Sequence, residues 1–170
     1  TKLPLLPATN PTIRKLTPEQ IGLYLQDQVK WDKWVVTAGL RHDKTDQSIT
    51  NIAINTGVNT LTEKESSSAT TGRVGAVYLF DSGWAPYVSY ATSFAPEISA
   101  DAILKPSRGK QIEAGIRYQP PGKDVSYTAA VFDLVRQNVT TTAPGMPGNV
   151  IQTGEISSRG LELEARAALT

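Results

Sequence analysis

The sequence has no cysteine and a single histidine, His42, in 170 residues. Without cysteine there are no disulfides, no thiolate nucleophile and no Cys-ligated zinc or iron–sulfur site. One histidine builds no His-rich metal centre. Charge of one sign is also missing. The net charge is +1, which gives no electrostatic case for nucleic acid or an anionic surface. Long apolar runs are absent too. Ala76 to Phe80 is among the longest, far short of the ~18 residues of a membrane helix. Strands that cross a bilayer are only half apolar, so that shortage excludes helices and nothing more.

Strict apolar/polar alternation in short runs is what the sequence does contain. The clearest runs from Gly160 to Leu169. Leu161, Leu163, Ala165, Ala167 and Leu169 share one face; Gly160, Glu162, Glu164, Arg166 and Ala168 share the other. A period of two means a β-strand whose faces meet different surroundings.

Read along the chain, the proline-rich stretch Thr1 to Gln20 is a loop. Strands are expected at about Ile21 to Trp31, Trp34 to Asp43, Thr71 to Phe80, Trp84 to Phe94, Lys110 to Gln119 and Val125 to Val139. A seventh begins near Val150 and reaches Leu169, with a break at Ser157-Ser158. Asp27 interrupts the apolar face of the first strand. In the sixth, Phe132 and Leu134 fall opposite Tyr127, Ala129 and Val131, and a bulge near Phe132-Asp133 would reconcile them. The polar segment Lys44 to Ser68 holds no convincing strand. Ala95 to Gly109 and Thr140 to Asn149 read as loops.

Short turns at Asp32-Lys33, Asp81-Ser82-Gly83 and Pro120 to Lys123 alternate with connections of about ten to twenty-five residues. Tight turns on one side and long loops on the other are the pattern of an antiparallel transmembrane β-barrel, and strands of about ten residues suffice to cross when tilted. Trp31, Trp34 and Trp84 all flank short turns, with Phe80, Tyr118 and Tyr127 near the same side, which predicts an aromatic girdle at one membrane interface. One face carries Arg41, Arg73, Glu113, Arg117, Glu162, Glu164 and Arg166. These are expected to line a hydrated lumen and to pair across neighbouring strands. The opposite face includes Ala38, Ala76, Ala114, Ala165 and Ala167, which would pack a soluble core poorly and suit a lipid-facing wall.

About seven strands, entered from a loop and left at the short-turn side, would leave two open edges in lipid, where unsatisfied backbone groups are costly. The chain starts abruptly at Thr1, with no initiator Met and no signal peptide. It therefore reads as an arc of a larger barrel.

Several stretches together resemble TonB-dependent outer-membrane receptors: Gly22-Leu-Tyr-Leu-Gln-Asp-Gln28 with Trp31-Asp-Lys33 and Ala38-Gly-Leu-Arg-His-Asp43; Tyr78-Leu-Phe-Asp-Ser-Gly83 with Pro86 to Pro96; Lys105 to Tyr118; and Ser158 to Ala165. Within that family the chain is most similar to the hydroxamate siderophore group, the ferrichrome and ferrioxamine receptors. The resemblance implies a barrel of about 22 strands around an N-terminal plug, in the outer membrane of a Gram-negative bacterium. Residues 1–170 would be a part of that barrel, without the plug and the remaining strands. It further implies a ferric siderophore as transported ligand, with no resident cofactor. The implied partners are the TonB–ExbB–ExbD complex acting through the plug region and outer-membrane lipid, with room for a phage or bacteriocin. Many ligand contacts in the family come from the plug apices and from barrel strands or loops not matched in these stretches, so no binding residue carries over. The family shares the Gln-Asp-Gln pattern, which accommodates Asp27.

Other signals are set aside. His42 is expected to be part of the wall. Asn138-Val139-Thr140 is a chance sequon. Gly109-Lys110 lacks phosphate-loop spacing and opens a strand. Asp43 and Asp46 belong to a solvated loop rather than a Ca²⁺ site. No catalytic or metal-ligating set is argued, so an enzyme is not expected. Two other readings of the alternation remain: a passive porin or adhesin barrel, and a soluble β-sandwich binding module.

Overall fold

The computed structural model describes residues 12–54, 56–97, 104–143, 145, 150–152 and 154–168. They form an all-strand fold: β1 (Thr12–Trp31), β2 (Trp34–Ala53), β3 (Asn59–Tyr78), β4 (Trp84–Ala95), β5 (Ser107–Tyr118), β6 (Val125–Gln137), β7 (Thr140–Thr142), β8 (Val150–Gln152) and β9 (Glu155–Ala167). Seven of them make one antiparallel sheet in the order β1-β2-β3-β4-β5-β6-β9, while β7 and β8 pair separately as a small hairpin.

Three strands run further than the alternation predicts. β1 begins at Thr12, not near Ile21, and β2 and β3 each span 20 residues. The polar stretch from Lys44 to Ser68 is thus largely ladder, with Thr45 opposite Ser67, Asp46 opposite Ser66 and Ser48 opposite Lys64. Polar side chains fill both faces of this stretch, the buried Thr45 and Gln47 included, so no apolar period marks it. At about 3.4 Å per residue, 20 residues extend roughly 68 Å, about twice what a tilted strand needs to cross a bilayer. Pro18 lies within β1, which bounds the sheet among the described residues. An edge strand tolerates the missing donor. Pro4, Pro7 and Pro11 lie outside the described residues, as do Leu169, residues 98–103 and most of 144–149.

The sixth strand has no bulge at Phe132-Asp133: its registers with β5 and β9 are continuous. Phe132 faces the charged side because Gly160 opposite it has no side chain. A Cβ on Gly160 would lie 2.7 Å from the Phe132 ring. The predicted break at Ser157-Ser158 falls earlier, between β8 and β9. The register irregularity that does occur is between Ile49 and Thr50. Asp27 stays on the apolar face, and its carboxylate accepts the Gln28 N–H at 2.8 Å.

The short turns are tied to one another. Lys33 Nζ meets Asp81 Oδ2 at 2.5 Å, which holds the Lys33 ammonium above the ordinary lysine value. The Leu79 N–H donates to Lys33 C=O at 2.8 Å, and the Gln119 N–H donates to Gly83 C=O at 2.9 Å. Gly83 has φ 89°, and a Cβ there would collide with the Gln119 carbonyl. This turn requires glycine for both reasons.

Candidate functional site

Register assigns every residue of the sheet to one of two faces. Gly39 lies opposite Arg73, Arg73 opposite Ala91, Ser89 opposite Glu113, Arg117 opposite Thr128 and Thr128 opposite Glu164. Arg41, Arg73, Glu113, Arg117, Glu162, Glu164 and Arg166 therefore share one face, as the alternation predicts. The other face carries Leu23 (78% exposed), Leu25 (76%) and Leu163 (76%), together with Leu40, Val88 and Ile112, all exposed.

Burial identifies which face is concave. Among the described residues, Asp43, Thr45, Gln47, Ile49, Ala69, Ser107, Ser126 and Ala130 are buried, and by register every one lies on the charged face. Side chains converge on the inner side of a curved sheet and splay apart on the outer side. The charged face is the inner wall. A soluble sandwich would bury the apolar face against a second sheet. Here it is the apolar face that stands open, so the sandwich reading is corrected.

The outer face has a defined height. Trp34 meets Tyr78 edge-on at 5.0 Å, Tyr78 meets Phe80 at 4.7 Å, and Trp84 stacks on Tyr118 at 4.3 Å. Trp31 lies opposite Trp34, and Tyr127 opposite Tyr118. The aromatics that flank the short turns thus form one row. On β4 the outer face runs from Trp84 to Phe94. Ten residues at about 3.4 Å, tilted by about 45°, give a band roughly 24 Å tall, close to the apolar band of a barrel wall.

On the inner wall, Arg41 grips Asp43 along one strand. Arg41 Nε donates to Oδ2 at 2.7 Å and Nη2 to Oδ1 at 2.8 Å, and Gln20 Nε2 adds a third bond at 2.9 Å. Asp43 is 2% exposed. Gly22 stands opposite it, where a Cβ would collide with both partners. Arg166 likewise bonds Glu164 on its own strand at 2.7 Å. Arg73 donates to Gln26 Oε1 across two strands. The expected cross-strand ion pairs are therefore not what these residues form. Arg73 faces Gly39 and Ala91 across the ladder, and Arg41 faces Tyr24 and Thr71. No acid lies directly opposite either arginine, so Arg41 reaches two residues along its own strand. A recess of about 250 Å³ lies at Tyr24, Gln26, Gly39, Arg41, Thr71 and Arg73.

A second inner cluster gathers on β4 and β5. Tyr87 Oη donates to Glu113 Oε1 at 2.7 Å, and Gln111 Nε2 to Oε2 at 3.1 Å. The Tyr87 ring lies over Gly115, where a Cβ would be 2.6 Å away. Glycines on this wall make room for neighbouring aromatics. Neither Glu113 nor Glu162 has a basic partner in an ion pair among the described residues.

At the long-connection end, Arg136 Nη2 donates to Glu97 Oε1 at 3.0 Å and to Ser107 Oγ at 3.1 Å. His42 is in the wall, its Nδ1 2.9 Å from Thr70 Oγ1. Asn138 turns its side chain to the Pro106 carbonyl. Asp43 lies in β2, within the strand expected from Trp34 to Asp43, but it is buried rather than solvated. Sequence reasoning missed Gln20, Tyr87, Gln111 and Gln152 as network residues, because only the ladder shows which polar side chains meet. No group of three or more His, Asp or Glu among the described residues is placed to hold a metal.

Residues 3–170 match the family described as TonB dependent receptor-like, beta-barrel. The ferrichrome outer membrane transporter/phage receptor of Escherichia coli K12 is 40% identical over 96% of this chain. The ferrioxamine B receptor of Salmonella typhimurium is 42% identical over 89%. The crystal structure of the siderophore receptor PiuA from Acinetobacter baumannii superposes with a TM-score of 0.73 over 92% of the chain, at 24% identity. The chain spans 22%, 21% and 24% of those three proteins, respectively.

Proposed function

The chain belongs to the TonB-dependent receptor-like β-barrel family, and from that premise we propose that it is part of the wall of an outer-membrane importer of ferric hydroxamate siderophores. The observation that carries the proposal is the 40% and 42% identity to ferrichrome and ferrioxamine B receptors across nearly the whole chain. The geometry supports it. An apolar outer face with an aromatic row suits lipid, and a charged concave face suits a hydrated interior.

In this reading the barrel has about 22 strands, of which this chain supplies seven, and it encloses a plug. Arg73, Glu113 and Glu162, without ion-pair partners among the described residues, belong to the surface that meets whatever fills the barrel. The ferric chelate binds from outside and passes inward without covalent chemistry, so the protein is not an enzyme. TonB with ExbB–ExbD supplies the energy, and the long connections are the surface open to a phage or bacteriocin.

The test is uptake of ⁵⁵Fe-labelled ferrichrome, ferrioxamine B and coprogen by cells whose only hydroxamate receptor is the full-length protein. Saturable uptake of at least one chelate, abolished by loss of TonB, is expected. Uptake that persists without TonB or the proton gradient would instead establish a passive pore.

A further inference from the structure

Two neighbouring long connections, β4–β5 and β6–β9, are joined by side chains that act as backbone. Gln152, at the end of β8, presents its amide to Lys105 in both directions. Its Oε1 accepts the Lys105 N–H at 2.9 Å and its Nε2 donates to the Lys105 carbonyl at 2.6 Å. That two-way pair is what a strand neighbour would supply. The same Nε2 also donates to the Asn138 carbonyl at 3.1 Å. Asn138 returns the tie. At φ 57° its Nδ2 donates to the Pro106 carbonyl at 3.0 Å, while its N–H donates to the Gly154 carbonyl at 3.1 Å. Closer to the wall, Arg136 spans the same gap to Glu97 and Ser107.

We infer that Gln152 is a clasp that makes these two connections move as one unit at the outer mouth. The geometry favours coupling over simple packing. Among the described residues, apart from the Arg136 contacts, the ties between the two connections run through side-chain amides to backbone groups, and Gln152 holds Lys105 and Asn138 with a single amide. A small displacement of the β7–β8 hairpin must therefore either carry residues 104–107 with it or break three bonds together. Joined in this way, the two connections offer a ligand at the mouth one unit to displace rather than two. The inference rests on the reading that the long connections surround the outer mouth.

The test is hydrogen exchange on the full-length receptor in detergent micelles, read over residues 104–107 and 138–143. Gln152→Ala is expected to speed exchange by about tenfold in both segments, the loss of one to two net hydrogen bonds. Gln152→Met, of similar length but without an amide, is expected to match it. Gln152→Glu keeps the acceptor for the Lys105 N–H but sets a carboxylate oxygen against the Lys105 and Asn138 carbonyls, and is expected to speed exchange at least as much as Gln152→Ala; slower exchange than in Gln152→Ala would count against the clasp. If exchange over 104–107 stays at the wild-type rate in Gln152→Met, or changes only over 138–143, there is no clasp. The readout needs no siderophore. Failure of iron uptake with the coupled exchange intact would overturn the receptor reading and leave the clasp standing.

Discussion

Thr92→Val tests how the wall is closed where β3 and β4 part. Their ladder runs only from Val77 opposite Tyr87 to Arg73 opposite Ala91. One step beyond, the Thr92 hydroxyl replaces the backbone. Its Oγ1 accepts the Gly72 N–H at 2.8 Å and lies 3.3 Å from the Gly72 carbonyl, to which it donates. Valine has nearly the same shape, so packing is retained while both bonds go. The orphaned Gly72 N–H then costs about 1–3 kcal/mol, and little water is at hand in the upper part of a lipid-facing wall to offset it. At about 2 kcal/mol, local opening should rise roughly thirtyfold. Hydrogen exchange at Gly72 and its neighbours in the membrane-embedded receptor is the assay. Thr92→Ser keeps the hydroxyl and should stay within about threefold of wild type. Equal exchange in Thr92→Val and Thr92→Ser would refute the reasoning, since the hydroxyl would then not hold the seam.

Three further outcomes are expected. Leu161→Arg, on the outer face opposite Val131, should destabilise the folded barrel in lipid vesicles by about 2–4 kcal/mol, whereas Glu162→Gln on the inner wall should cost well under half of that. Similar costs at the two positions would erase the inner and outer assignment. Gly83→Ala, forced to φ 89° against the Gln119 carbonyl, should lose more than about 1 kcal/mol, measured by the denaturant midpoint; an unchanged midpoint would contradict the turn geometry. The Ser66 hydroxyl, with Lys44 and Lys64 nearby, holds the Asp46 carboxyl below the ordinary aspartate value against the opposing effect of desolvation. A lowered folded value means that its contribution is present above the unfolded value and is lost as pH falls through the folded one. A ¹³C carboxyl titration should therefore give an Asp46 midpoint below about 3.9, and a midpoint at or above that value would remove the tie to Ser66.

Legibility followed the surroundings of each strand. Where one face meets lipid and the other the interior, as from Trp84 to Phe94 or Gly160 to Ala167, the period of two was plain and the strands lie where it put them. Where both faces carry polar residues, as from Lys44 to Ser68, composition resembles a loop and the ladder went unread, even though Thr45 and Gln47 are buried in it. Phe132 misled for a different reason. Its position looked like a bulge because the vacancy it fills, above Gly160, lies on another strand. The inner charges were assigned to the correct face but to the wrong partners, since pairing depends on what stands opposite across the ladder.

By itself the sequence determined the antiparallel strands, the two faces, the one-sided aromatics and the turn glycine at Gly83. These follow from local periodicity and backbone sterics, which neighbouring residues set. Only the tertiary structure decided which face is concave, that Asp43 is buried beneath Gly22 in the grip of Arg41, and that Gln152 reaches Lys105. Each of those depends on register between strands, and register is a property of pairs of segments that no single stretch of sequence contains.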